Sequence, residues 1–154
     1  MNEKTAKKIG EAYAFAQVCD ELYQKTPGVL EDLLDTHARD ISEKTREQRK
    51  KLETVSEEVK EIVLAKAEKT SKKITTMGNL YVGDDWDDPA EVLEWLSFFL
   101  GGAIIHWQLI KGSASERENR EFETIANEGV QYYTTLFETT RNKAEAIGHA
   151  RAKQ

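Results

Sequence analysis

Residues that interrupt or staple a fold are scarce in this chain: one cysteine, two prolines and nine glycines among 154 residues. A lone Cys19 cannot close an internal disulfide and supplies neither a CxxC redox pair nor zinc-finger spacing, so a reducing, cytoplasmic setting is expected. So little proline and glycine, beside abundant Glu, Lys and Ala, excludes a many-turned β-sandwich or barrel. Disorder is excluded too, because 39% of the residues are apolar and can form a core. Signatures of common chemistry are also missing. There is no GxxxxGK[ST] or GxGxxG loop, no GxSxG elbow, no HExxH, and no Glu-x-x-His pair of the kind that holds di-iron in helical bundles. The N-terminus is basic but lacks an apolar run of about 7 to 15 residues, so no secretory signal is expected.

The net charge of −6 disfavours a phosphate-backbone binder, and no nucleic-acid partner is expected. Lys44, Arg46, Arg49, Lys50 and Lys51 alternate with Glu43, Glu47 and Glu53, the pattern of a solvated helix with pairs three or four apart. Trp95 to Ile110 is the most apolar stretch. Ser97, His106 and Gln108 interrupt it, and it falls short of the roughly 20 residues that span a bilayer, so it reads as a buried core helix and no membrane contact is expected.

Periodicity supplies the rest of the fold. About 3–25, Ile9, Tyr13, Ala16, Asp20 and Tyr23 share one helical face, with Phe15, Val18 and Leu22 on another, which implies two neighbours. Thr26-Pro27-Gly28 breaks that helix. From 28 to 77, Leu30, Ile41, Leu52, Val63 and Ile74 recur every 11 residues with no proline or glycine between Gly28 and Met77. A single helix there would be about 75 Å long, more than its neighbours can cover. A break near Asp40, where Asp40 and Glu43 have capping-box spacing, or a projecting stretch covered by a second subunit at Leu52, Val55, Val59 and Ile62, is therefore expected.

Gly78 to Pro89 reads as a loop, with Asp88 as N-cap, Pro89 at N1 and Glu91 at N3 of the next helix. That helix, 89–111, is apolar nearly all round and is expected in the middle of the fold. A last helix, 115–147, carries Phe122, Ile125, Ala126, Gly129, Tyr133, Leu136, Phe137, Thr140 and Ala144 on one face. The expectation is one all-α domain, 1–154, an antiparallel up-and-down bundle of four to five helices with one unusually long.

Polar residues on apolar faces are the candidates for chemistry. His37 falls within the stripe of Leu30, Leu33, Leu34 and Ile41, and His106 lies with Trp95 and Phe99 beside Gly102 and Ala103. Asp20 and Glu94 are the nearest carboxylates by face. His37, His106, Asp20 and Glu94 would together suit a divalent zinc, iron or manganese ion. The simpler reading is a hydrogen-bonded polar core with no cofactor. Asp84, Asp85, Asp87 and Asp88 lack the EF-hand ligand order and read as loop charges and a helix cap. Gly101 and Gly102 cost about 1 kcal/mol each in a helix, which points to a close neighbour or to space for a ligand. The leading functional expectation is a non-enzymatic protein acting by self-association, a homodimer above all, or through a protein partner. The alternative is a metal- or small-molecule-binding bundle using the histidines.

Overall fold

A computed structural model describes all 154 residues, and every regular element is helical. The six α-helices are α1 (Glu3–Lys25), α2 (Pro27–Leu34), α3 (Ala38–Val55), α4 (Lys60–Val82), α5 (Pro89–Glu116) and α6 (Arg120–Ala152), with a short 3-10 turn at Glu57–Val59 between α3 and α4. The expected count of four to five was too low because 28–77 divides twice.

The first break lies earlier than Asp40. Asp35 closes α2 in the left-handed region at φ 50°, a conformation that Asp tolerates better than most residues. His37, not Asp40, is the N-cap of α3, and its side chain makes no capping bond. Instead the Ala38 amide donates to the Glu31 carboxylate at 3.1 Å. At the second break, Ser56 Oγ donates back to the Leu52 carbonyl at 2.6 Å, a bond that competes with the helical ladder, and a single 3-10 turn follows.

These breaks resolve the length problem within one chain. Tyr13 reaches Glu53 and Asp20 reaches Arg49, so α3 runs antiparallel to α1. The Met1 amino group pairs with Glu58, Glu11 with Lys66, and Lys25 with Asn79, so α4 runs back parallel to α1. The 11-residue stripe is thus core: Leu30, Ile41, Leu52 and Val63 are at most 1% exposed and Ile74 is 7% exposed. Of the residues expected to need a second subunit, Leu52 is fully buried, Val55 and Val59 are half-buried, and Ile62 remains at the surface.

The central helix is α1, which packs against α2, α3, α4 and α5 rather than the two neighbours its faces implied. Helices α5 and α6 form an antiparallel pair, with Asn119 capping α6 through a bond from the Phe122 amide at 3.0 Å. Their axes approach at Gly129, where a Cβ would sit 2.0 Å from the Trp107 ring. Gly10 meets α4 in the same manner, 2.5 Å from the Val63 carbonyl oxygen. The loop before α5 is shorter than expected. Gly78 lies inside α4 against Trp95, and the chain leaves α4 at Gly83, whose φ of 62° suits glycine. Asp88 does cap α5, accepting from the Ala90 amide at 2.9 Å.

One placement differs in a way that matters for function. Rather than lying in the middle, α5 sits with one side buried and the other bare, with Phe98, Ile105 and Leu109 each about half exposed or more. By length and composition alone this helix could cross a bilayer; 39% of its apolar window is buried here.

Candidate functional site

The four metal-ligand candidates do not converge. His37 is 82% exposed by side chain, 4.0 Å from Glu31, because the break at 35–37 lifts it off the stripe on which a continuous helix would have placed it. Asp20 faces α3 and pairs with Arg49 at 3.7 Å. Glu94 is exposed on α5 and accepts from Tyr81 Oη at 3.2 Å. His106 is partly enclosed on α5, 27% exposed by side chain, and meets neither Asp20 nor Glu94. No three His, Cys, Asp or Glu side chains are grouped as a metal ion would require.

His106 has a different carboxylate. Its Nε2 lies 3.3 Å from Glu11 of α1, and its Nδ1 lies 2.7 Å from the Gly102 carbonyl oxygen. Nδ1 is the hydrogen-bonded ring nitrogen, and Nε2 stands beside the carboxylate as a close charge contact. Phe15 packs on the imidazole with centroids 4.8 Å apart, in space left by Gly102, where a Cβ would come within 3.0 Å of the Phe15 ring. Glu11 also meets Lys8 at 2.8 Å and Lys66 at 3.4 Å. Burial raises its proton affinity, but the bond and charge of Lys8, the charge of His106 and the bond from Lys66 outweigh it and hold the carboxyl below its ordinary range.

Glu11 and Lys66 escaped sequence reasoning, because both look like ordinary surface charges on amphipathic helices. The available signal was that Lys8, Glu11 and Phe15 share one face of α1 at spacings of three and four.

Around this cluster α1, α4 and α5 enclose a groove of about 340 Å³. Glu11, Phe15, Lys66, Thr70, Trp95, Phe99 and His106 form its floor and walls, while Lys73, Met77 and Phe98 stand at its mouth. Helices α4 and α5 barely touch compared with the contact each makes elsewhere, so the groove is the gap between them, floored by α1. It shares Glu11 and Lys66 with a polar cleft of about 310 Å³ that also presents Lys4, Lys7 and Lys8.

Beside the groove lies the bare face of α5. Phe98, Ile105 and Leu109 follow one another at seven and four residues, and the Cβ positions of Gly101 and Gly112 meet nothing within 4 Å. Tyr81 extends the patch from α4, edge-on to Phe98 at 5.3 Å, with Met77 and Leu80 next to it.

Other candidates have structural duties. Burial raises the Cys19 thiol to about 12, too high for a ready thiolate nucleophile. Trp86 lies under the Lys25 ammonium at 4.1 Å and its carbonyl accepts from Thr26 Oγ1 at 3.0 Å, which pins the 83–88 loop. Asp88 additionally pairs with Arg151 at 3.2 Å, holding the end of α6.

No protein-family model, curated protein or solved structure matches this chain.

Proposed function

We propose that this chain is a non-enzymatic helical-bundle protein that acts by association, pairing with a second copy of itself through the outward face of α5. The observation that carries the reading is Phe98, Ile105 and Leu109, 61%, 59% and 48% exposed, in line with two glycines that touch nothing. Large apolar side chains in one exposed line lose solvent-facing surface on association, at about 25 cal/mol per Å² buried. Glycines in a helix interior cost about 1 kcal/mol each, and at Gly101 no contact within the chain offsets that cost.

The face is self-complementary when two copies of α5 cross antiparallel about a two-fold axis that passes outside the helix, level with the midpoint between Gly101 and Ile105. Ile105 of each copy then meets the gap at Gly101 of the other, and Phe98 meets Leu109. Two-fold pairing uses the same patch on both subunits, which is the commonest form of closed association. This surface replaces the 41–77 stripe as the basis for association, since that stripe is largely covered by α1.

Sedimentation over a hundredfold concentration range tests the reading. Dimer is expected for the unaltered chain and monomer for Ile105→Glu, which places a charge at the centre of the apolar contact. A strict monomer in both would end the proposal.

A further inference from the structure

We infer that the groove between α4 and α5 binds an amphipathic monoanion, a carboxylate carried on an unbranched apolar chain. Two independent properties select that chemistry. The inner groove is aromatic and apolar, with Phe15, Phe99 and Trp95 inside and Met77 and Phe98 at the mouth, so it suits a flexible tail without hydrogen-bonding groups. Its size, about 340 Å³, lies within the range of small-molecule sites. One end of the groove is cationic although the chain as a whole is acidic: Lys66 stands at the junction, with Lys4, Lys7 and Lys8 in the adjoining cleft, while Lys73 stands on the rim about 10 Å farther along α4.

Glu11 is the one carboxylate lining that junction, and it does not cancel the field. It is already held by Lys8, Lys66 and His106. Each ammonium has three donors, so Lys8 and Lys66 can hold Glu11 and still receive a second carboxylate. The same arrangement disfavours an amphipathic amine: Lys4, Lys7, Lys8 and Lys66 face the junction against two carboxylates, Glu11, which is 12% exposed, and Glu3, which is held by Lys7. His106 has both ring nitrogens engaged and acts as the wall between the polar and apolar ends. The tail therefore runs along α5 from His106 toward Trp95, past Gly102, whose missing side chain lets the Phe15 ring pack close to α5 and form the groove floor there.

The test is calorimetric titration of the full chain with three probes: decanoate, decyltrimethylammonium and acetate, all below micelle-forming concentrations. Decanoate should saturate at one per chain and bind at least about tenfold more tightly than decyltrimethylammonium, with acetate showing no saturation. Lys66→Met combined with Lys73→Met keeps the aliphatic stems, removes both charges, and should weaken decanoate about tenfold or more. Thr70→Trp should fill the groove and remove binding. Ile105 does not line the groove, and because Phe98 borders both the groove mouth and the proposed dimer face, decanoate is titrated into Ile105→Glu as well: binding retained by the monomer shows that the groove acts without the dimer. Equal binding of the cationic and anionic probes, or decanoate affinity unchanged in both the lysine variant and Thr70→Trp, would overturn the assignment. The probe comparison needs no substitution and stands even where a variant misfolds.

Discussion

Both sides of α5 carry large apolar residues, yet they meet opposite fates. On the side facing α6, Trp107 is fully buried and its ring occupies the space in front of Gly129. On the outward side Ile105 is 59% exposed and Gly101 has open space before it. An apolar residue and a glycine in register form a packed seam in one place and an empty one in the other. Apolarity states that a surface should be covered; it does not state by which chain.

Substituting the two glycines separates the sides most sharply. Gly129→Ala puts a methyl within 2.0 Å of an indole enclosed on all sides, so a loss of about 3 kcal/mol or more in urea unfolding is expected. Gly101→Ala should instead raise the stability of the monomer by up to about 1 kcal/mol, through helix propensity alone. In the same variant the proposed dimer should weaken in sedimentation, because the methyl fills the gap proposed for Ile105 of the other copy. Loss of stability at Gly101 comparable to that at Gly129 would erase the distinction between the two sides.

A second comparison sharpens the difference between an enclosed histidine and an exposed one. His106→Leu removes the side-chain bond to the Gly102 carbonyl, which keeps its helical amide donor, and one of the three cationic neighbours of Glu11, and a loss of about 1 kcal/mol is expected in thermal or urea unfolding. His37→Leu removes a side chain that is 82% exposed and should change stability by less than about 0.5 kcal/mol.

The smallest effect concerns acid. The folded state holds the Glu11 carboxyl below its ordinary range, so the unfolded chain binds more protons there as pH falls. Its contribution to stability is complete above the ordinary carboxylate range and is lost as pH falls through the lowered folded value. Urea midpoints measured from pH 6 to pH 3 should decline less steeply in Glu11→Gln than in the unaltered chain. An identical slope would show that the cluster of Lys8, Lys66 and His106 does not favour the ionised form.

Local signals were sufficient for some elements. The end of α1 at Thr26-Pro27 and the start of α5 at Asp88-Pro89 follow from chemistry within a few residues, a missing amide donor in one case and a capping carboxylate in the other. Most of the α6 stripe also reads directly, since Phe122, Ile125, Ala126, Gly129, Tyr133, Leu136 and Thr140 are buried, while Phe137 on its edge is half-buried and Ala144 beyond the packed part of the helix is exposed. The candidate site was only partly legible. His106 was visible as a polar residue on an apolar helix, but its partner was sought in Asp20 and Glu94, whereas Glu11 meets it from across the groove.

What the sequence by itself determined was the helical class, most of the core stripes, and those helix ends that carry their own caps, because spacing, propensity and capping act over one or two turns. What only the tertiary structure decided was how 28–77 divides. Its 11-residue spacing is compatible with one long helix, and the fold instead turns at Asp35 to His37 and again at Ser56 to Val59 so that α3 and α4 both lie on α1. That choice follows from burial summed over distant contacts, which no short window contains. The same summation brought Glu11 to His106, left His37 in solvent, and left one face of α5 without a neighbour.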